Sequence, residues 1–249
     1  MENRLMRKKM KVFSKNNSIE YWNQNIDKWG KLYLRASHPD ERLNAPKWFE
    51  YIYHRVVTPI EAKLMTQRYE LTINFINQHV KSGMVVVDLG CGTGIFTVEM
   101  LRRGANVIAV DYAQSSLDLT KKAVEKLVPD LSCRIQYLLA DITNQKLPFS
   151  DVVLIMGVTP YVLNINAFFN NILPNTKKIY CLFINPEHWI NKLRKLISIL
   201  NVRKLNFYNM SIIDGLYRQH NWKLIDRQLF ATGYLDLAVI SNEQNGIKL

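Results

Sequence analysis

The sequence predicts an α/β fold in which helices flank a mostly parallel sheet, and three observations lead to this prediction. From residue 84 onward, short apolar runs alternate with amphipathic stretches, which is typical of right-handed βαβ units. Two further β-like runs, 223–230 and 234–240, are joined by the turn A-T-G and predict a hairpin. The 249 residues, 48% of them apolar, suffice for one well-packed domain with an elaboration. We therefore expect a sheet of seven strands, with the hairpin adding an antiparallel strand at one edge.

The first 83 residues are predicted to be mostly helical and to form an N-terminal extension or lid. Apolar residues recur at helical spacing from Trp48 to Val80, with prolines at positions 46 and 59 as interruptions. We expect residues 1–83 to form this extension, 84–242 the core and 243–249 a tail. Aromatic residues ahead of position 48 indicate either a buried helix face or a lid that closes over a ligand: Tyr21, Trp22, Trp29 and Tyr33.

The elements of the core follow in order. Gly104 closes the first helix, Ser115 is predicted to cap the second, and Pro129 lies beyond its end. The predicted strands before the hairpin are 84–89, 106–111, 134–140, 151–156 and 178–184. The predicted helices are 95–103, 115–127, 166–173, 190–200 and 211–220.

Three glycines stand between the first strand and the first helix, in the stretch VVVDLGCGTG. In doubly wound sheets a nucleotide binds at this point, beyond the carboxyl ends of the strands. The spacing is G-x-G-x-G, and Ile95 occupies the place of the last glycine in a dinucleotide fingerprint. Asp111, seventeen residues past Gly94, can accept both hydroxyls of an adenosine ribose. The loop therefore indicates a nucleoside-bearing cofactor with little or no phosphate.

Three motifs in order, D-L-G-C-G-T-G, V-I-A-V-D and L-L-A-D-I, each at a predicted strand end, resemble those of class I S-adenosylmethionine-dependent methyltransferases. The resemblance covers about residues 84–241 and implies a Rossmann-like seven-stranded methyltransferase sheet with S-adenosylmethionine as cofactor. It also implies that Asp88 organises the loop and the cofactor's ammonium group, and that Asp111 binds the ribose hydroxyls. The loop glycines would lie against the methionine and ribose parts of the cofactor: Gly90, Gly92 and Gly94.

The same resemblance implies five further cofactor contacts. Tyr112 would flank the adenine, Asp141 would accept a hydrogen bond from its amino group, and Ile142 would pack on the ring. Met156 and Gly157 would approach the methionine end. Alternatives remain open at this stage, because Asp141 in D-I-T-N can also cap a turn, and Tyr112 and Ile142 can belong to the core.

Arg68, in the segment M-T-Q-R-Y-E-L ahead of the glycine loop, is a further candidate for the cofactor site. In small-molecule methyltransferases with a similar segment, an arginine near this position holds the cofactor's carboxylate. The alternative for Arg68 is a salt bridge on the surface.

The pattern G-V-x-x-Y-V after the fourth strand is similar to small-molecule methyltransferases, especially the ubiquinone-biosynthesis and magnesium-protoporphyrin O-methyltransferases. The Asn/Asp/Ser-Pro-Pro-aromatic signature of nucleic-acid amino-methyltransferases is missing there, although T-P-Y resembles it weakly. The resemblance thus implies methyl transfer to a hydroxyl of a sugar, an aromatic compound or a lipid-linked precursor. The alternatives are a small-molecule N-methyltransferase, an RNA methyltransferase and a non-catalytic binding subunit.

A hydroxyl acceptor with a high pKa needs a general base within hydrogen-bond reach. His188 in I-N-P-E-H-W follows the fifth strand and is the candidate base, although it can instead cap the next helix or face water. Tyr161, after the fourth strand, is the candidate for orienting the acceptor. The sequence contains no metal-ligand cluster, so we expect no metal.

The net charge of +12 favours anionic partners. Two basic segments, 4–15 and 190–204, make an anionic membrane surface a candidate partner, and the alternative is a solvated basic edge. Nucleic acid is disfavoured by the missing signature, and the oligomeric state is open. Three widely spaced cysteines and a basic start without an apolar signal region lead us to expect a cytoplasmic protein, at most peripheral to a membrane.

Overall fold

The computed structural model describes residues 26, 47–52, 55, 58–196 and 205–241, and every structural statement below concerns these residues. Two helices, α1 (Lys47–Ile52) and α2 (Thr58–His79), precede the sheet. The first half of the core comprises β1 (Val85–Leu89), α3 (Ile95–Arg102), β2 (Asn106–Asp111), α4 (Gln114–Leu127), β3 (Ile135–Leu139) and β4 (Val152–Ile155). The second half comprises α5 (Ile165–Ile172), β5 (Lys178–Ile184), α6 (Trp189–Leu196), α7 (Met210–Gln219), β6 (Trp222–Phe230) and β7 (Gly233–Ile240).

The strands form one seven-stranded sheet in the order β3-β2-β1-β4-β5-β7-β6. The first five strands are parallel, and β7 runs antiparallel to both of its neighbours. The predicted α/β fold with a terminal hairpin is therefore confirmed. The hairpin is placed with β7 inside the sheet, paired to β5 from Lys178 to Ile184, so β6 forms the edge.

The strand order reverses between β1 and β4, since the chain moves from β1 outward to β3 and then returns to start β4 on the other side. In open α/β sheets such a reversal leaves a crevice at the carboxyl ends of the two strands. Leu89 at the end of β1 pairs with Ile155 at the end of β4, so the loops that follow both strands leave the sheet side by side. This crevice positions the candidate site.

Successive residues of the strands point to opposite faces of the sheet, and each face has its own apolar cluster. Val87 and Leu89 belong to one cluster with Phe169 of α5, whereas Val86 belongs to the other with Phe75 of α2. The ring of Phe75 stacks on that of Tyr180 in β5 with a centroid distance of 4.2 Å. Helix α2 is thus part of the layer that covers the sheet.

The division of the chain at residue 83 stays a prediction, although α2 shares its apolar cluster with the sheet. Several sequence predictions fall outside the described residues: the four aromatic residues between 21 and 33, the basic segment 4–15, residues 197–204 and the tail at 243–249. In the described part of the chain, no helix is long and apolar enough to cross a membrane.

The prediction that Ser115 caps the second helix is wrong. Helix α4 begins at Gln114 and its cap residue is Ala113, which makes no side-chain cap. Asp111 orders the residues just ahead of the helix, because its Oδ1 accepts a hydrogen bond from the backbone N–H of Ala113 at 3.0 Å. An aspartate that bonds the backbone two residues on forms a turn of its own, and this turn starts the helix before Ser115 is reached.

Candidate functional site

The glycine loop between β1 and α3 touches the loop that follows β4. Gly90 has φ of 77°, in the left-handed region that favours glycine. A Cβ at this position would collide with Cγ2 of Val158, which lies just past β4. Glycine is therefore required so that the two loops can meet at the reversal point of the sheet.

Asp88 connects β1 to the helix beyond the loop. Its side chain is 2% exposed, and its Oδ2 accepts a hydrogen bond from Oγ1 of Thr97 at 2.6 Å. Burial raises the pKa of the Asp88 carboxyl to about 7, the hydrogen bond from Thr97 lowers it, and the nearby charge of Asp111 raises it further. Asp88 thus fixes the start of α3 relative to β1, while its contact with a cofactor stays a prediction.

Asp111 links the glycine loop to α4. Its Oδ2 accepts from the backbone N–H of Gly92 at 3.2 Å, and its Oδ1 accepts from that of Ala113. Burial raises the pKa of this carboxyl, and the backbone hydrogen bonds oppose that rise because they favour the charged form. The carboxylate therefore lies at the end of β2 directly against the glycine loop, where the sequence predicted a ribose contact.

Asp141 follows β3 and closes the turn D-I-T-N. Its Oδ1 accepts from the backbone N–H and the hydroxyl of Thr143, at 3.1 and 2.7 Å, and its Oδ2 accepts from Nδ2 of Asn144 at 2.8 Å. The turn-capping alternative is thus present in the structure. Ile142 is 4% exposed within the cluster around Phe169, which is the core-packing alternative, and Tyr112 is half-buried. The adenine contacts of these residues stay predictions.

Arg68 reaches the loop after β4 from helix α2. Gly157 has φ of 85°, and a Cβ there would lie 3.0 Å from Nη1 of Arg68. Thr72, one turn further along α2, donates from its hydroxyl to the carbonyl of Arg68 and to Sδ of Met156, at 2.8 and 3.4 Å. Helix α2 therefore holds Arg68 against the exit of β4.

The electrostatics of Arg68 distinguish it from a surface arginine. Its Nε atom is buried, and burial lowers the pKa of the guanidinium to about 10, while the proximity of Tyr161 raises it. The residue as a whole is half-buried, so the cofactor contact of Arg68 stays a prediction and the salt bridge stays its alternative. The structure brings Arg68, Gly157 and Tyr161 together.

Tyr161 ends a short 3-10 helix, Thr159–Tyr161, and is partly exposed. The segment 205–209 packs beside it, since Asn206 donates from its backbone N–H to the carbonyl of Pro160 at 2.8 Å. The hydroxyl of Tyr208 donates a short hydrogen bond to the carbonyl of Val162. The chain after α6 thus contacts the loop that carries Tyr161.

His188 caps helix α6. Its Nδ1 accepts a hydrogen bond from the backbone N–H of Ile190 at 3.3 Å, and its carbonyl accepts from the N–H groups of Asn191 and Lys192. The lone pair of Nδ1 is thus engaged by the backbone of the helix. The helix-cap alternative is therefore the arrangement in the structure, and the role of general base stays a prediction.

Sequence reasoning missed the residues that hold the glycine loop from outside it. Thr120 of α4 donates from its hydroxyl to the carbonyl of Gly92 at 3.2 Å, and Thr97 binds Asp88. Both threonines are fully buried. In the sequence, they could have been recognised as hydroxyl side chains on the inward face of an amphipathic helix. Ile26 was also missed, and its Cδ1 lies 3.2 Å from the position of a Cβ on Gly92, so the N-terminal segment reaches the loop at this residue.

The acidic, histidine and cysteine side chains in the described ranges form no group of three or more that could hold a metal ion.

Comparison with known proteins finds methyltransferases that are similar to part of this chain. A family model described as a methyltransferase domain matches residues 86–178. The magnesium-protoporphyrin O-methyltransferase of Rhodobacter capsulatus is 39% identical over 80 residues, which are 32% of this chain and 34% of that protein. The mitochondrial ubiquinone biosynthesis O-methyltransferase of Schizosaccharomyces pombe is 32% identical over 108 residues, 43% of this chain and 39% of that protein. The chain thus spans little more than a third of the length of these two relatives.

Similarity to solved structures extends over more of the chain. The crystal structure of magnesium protoporphyrin IX methyltransferase from Synechocystis PCC 6803 with bound SAH superposes with a TM-score of 0.71 at 15% identity. The superposition covers 92% of this chain and all of that one. At this level of identity, the comparison shows a shared fold.

Proposed function

We propose that this protein transfers a methyl group from S-adenosylmethionine to a hydroxyl of a small molecule, because a methyltransferase-domain model matches residues 86–178. One observation carries the proposal. The loops after β1 and β4 meet through Gly90 and Val158, with the carboxylate of Asp111 against one loop and the guanidinium of Arg68 against the other.

The charges at this point fit the cofactor. S-adenosylmethionine presents a carboxylate, an ammonium group and two ribose hydroxyls. Arg68 supplies a half-buried cation for the carboxylate, and Asp111 supplies carboxylate oxygens for the hydroxyls. Asp88 adds a buried carboxyl on the same side as Asp111, and this carboxyl favours a nearby cation.

When bound, the cofactor would supply a methyl group on a positively charged sulfur: the acceptor oxygen would take the methyl as its bond to sulfur breaks, S-adenosylhomocysteine would leave, and the hydroxyl proton would pass to a general base. The protein contributes by holding the two reactants in register and excluding water, and such positioning can supply about 7–11 kcal/mol of the barrier. Arg68 contacts Gly157 in the loop after β4, and Tyr161 in the same loop is partly exposed. We assign to Tyr161 the orientation of the acceptor through a hydrogen bond.

The acceptor class is supported by the two O-methyltransferase relatives, which are named for magnesium-protoporphyrin and ubiquinone biosynthesis. We favour an aromatic or lipid-linked hydroxyl over a hydroxyl of a sugar, because neither relative is named for a sugar. One observation favours an amine acceptor as the second candidate. The Nδ1 of His188 is engaged in capping α6, and an amine with a free lone pair needs less help from a base than a hydroxyl does.

Calorimetric titration with S-adenosylmethionine and S-adenosylhomocysteine tests the proposal. We expect both to bind at micromolar concentrations, and Asp111→Ala to weaken binding by about 1–3 kcal/mol through lost charge-assisted hydrogen bonds. Asp118→Ala is the matched control, because this exposed aspartate lies on α4 away from the glycine loop. Equal affinities of the Asp111→Ala and Asp118→Ala variants would remove Asp111 from the site. Failure of the folded wild-type protein to bind either compound would refute the cofactor.

A further inference from the structure

Helix α6 exposes three large apolar side chains, Trp189, Leu193 and Leu196, which we call the α6 stripe. Their exposed fractions are 69%, 39% and 84%. Positions i, i+4 and i+7 lie on one side of an α-helix, so the three side chains form a continuous row. An exposed apolar row of this kind on a folded domain indicates a surface for interaction.

The opposite side of α6 attaches the helix to the protein through polar contacts. Asn191 is fully buried, and its Nδ2 donates to the backbone carbonyls of Asn185 and Thr232, both at 2.7 Å. An amphipathic helix of a globular protein normally turns its apolar side inward. Helix α6 does the reverse, and the hydrogen bonds of Asn191 hold it in that orientation.

Lysines flank the α6 stripe. Lys192 and Lys195 are exposed, Lys192 forms a 3.1 Å ion pair with Glu187, and Lys195 lies 5.3 Å from the ring centre of Phe207. The whole chain carries a net charge of +12. An apolar row with a basic flank on a strongly cationic protein is complementary to the surface of an anionic bilayer, where apolar side chains enter the headgroup region and lysines face lipid phosphates.

We propose that the α6 stripe docks the protein onto an anionic lipid bilayer. Charge argues against two other occupants of this surface. A second copy of the chain would bring the same basic flank, and the segment 4–15 is itself basic, so both would be repelled. An anionic bilayer offers an apolar region for the α6 stripe and negatively charged phosphates for the lysines.

The docking would also bring lipid close to the proposed acceptor site. Lys195 of α6 contacts Phe207, and Asn206 next to it bonds the carbonyl of Pro160, the neighbour of Tyr161. A lipid-linked acceptor could then reach Tyr161 along the membrane surface. This last step rests on the proposed function, whereas the docking does not.

Vesicle co-sedimentation of the full-length protein tests the docking, with phosphatidylcholine vesicles that either contain or lack phosphatidylglycerol. We expect binding to the anionic vesicles, with weaker binding at higher salt. Leu196→Gln and Trp189→Gln should each reduce the partition coefficient by about tenfold, since each removes an inserted apolar side chain. Leu229→Gln is the matched control, because Leu229 is 71% exposed on the edge strand β6, outside the stripe.

Three outcomes would overturn the proposal. The first is no binding of the wild-type protein to anionic vesicles, and the second is equal loss of binding in the Leu196→Gln and Leu229→Gln variants. The third is a wild-type dimer in sedimentation velocity without lipid that Leu196→Gln converts to a monomer, because the stripe would then be a contact between copies. Cofactor titration of the same variants separates this question from the proposed function, since docking variants should bind S-adenosylmethionine as the wild type does.

Discussion

Asp88, Asp111 and Thr120 each join two elements around the glycine loop. Asp88 binds Thr97 on α3, Asp111 binds the backbone of the loop and of α4, and Thr120 holds the loop from α4. A ligand at this point would therefore meet a loop whose backbone is already fixed. Preorganisation of this kind reduces the ordering that binding has to supply.

The buried carboxyl of Asp88 makes stability depend on pH. Its pKa rises on folding from 3.8 to about 7, so between these values the folded chain retains a proton that the unfolded chain releases. The stability that this group contributes is complete below about pH 4 and is lost as the pH rises through about 7, with each pKa unit corresponding to about 1.4 kcal/mol.

Asp88→Asn should remove this pH dependence, because an amide can still accept the hydrogen bond of Thr97 and carries no charge. We measure the difference in the free energy of unfolding between the variant and the wild type by urea unfolding. This difference should favour the variant more at pH 8 than at pH 5. The exposed Asp130→Asn serves as control and should track the wild type at both values. An Asp88→Asn variant whose difference from the wild type is the same at both pH values would contradict the assignment.

At His188 the structure allows capping and base catalysis to be separated by one substitution. Asn caps helices well but cannot act as a general base at neutral pH. We expect His188→Asn to preserve stability, and His188→Ala to lower the free energy of unfolding by about 0.5–2 kcal/mol. Denaturant unfolding and methyl-transfer rates with an accepted substrate measure the two effects. A large loss of kcat in a fully stable His188→Asn variant would identify His188 as the base instead.

At the scale of elements, the hairpin contains a buried ion network that alternation of apolar and polar residues did not reveal. Arg227 of β6 donates from Nε and Nη2 to the two oxygens of Asp236 in β7, both at 2.7 Å, and from Nη2 to Asp214 of α7 at 2.8 Å. Asp236 is fully buried, and the hydroxyl of Tyr217 donates to it at 3.2 Å.

A change of register explains why this network forms. Leu224 pairs with Ala238, but Asp226 pairs with Leu237, so β6 carries one extra residue at this point. If the first register continued, Asp226 would stand opposite Asp236, and two like charges would face each other. The shift places Arg227 opposite Asp236 instead. Because the location of such a bulge depends on the partner strand, the sequence of β6 alone does not reveal it.

Arg227→Met should lower the free energy of unfolding by about 3–5 kcal/mol, because it leaves the buried Asp236 without its counter-charge. The double variant Arg227→Met, Asp236→Leu should recover most of this loss, since apolar pairs replace buried ion pairs at little cost. Lys223→Met, an exposed position of the same strand, is the control. Urea unfolding measures the free energy of unfolding of all three variants. Similar losses for Arg227→Met and Lys223→Met would show that the ion network does not stabilise the fold by this amount.

At the scale of the whole molecule, the order and type of the core elements were predictable, because most strands of the parallel part are short apolar runs between turn residues. The sequence indicated which residues of the candidate site lie at one edge of the sheet where they stand at or just past a strand end, as Asp88, Asp111 and Gly157 do, since the carboxyl ends of parallel strands share one edge. Contacts between elements distant in sequence were not predictable. The approach of Arg68 to Gly157 depends on how α2 packs on the sheet, and the outward apolar side of α6 depends on Asn191.

The position of β7 has a consequence for how the chain acquires its structure during synthesis. The residues of the candidate site from Arg68 to Tyr161, together with the first five strands, leave the ribosome before β7 does. Until residues 233–240 emerge, β5 has no partner on its outer side, because β7 occupies the place between β5 and β6. The nascent sheet therefore presents an open edge of seven residues, Lys178–Ile184, which is the kind of edge that recruits other strands. Completion of the hairpin removes this hazard, so β7 also protects the parallel part of the sheet from misassembly.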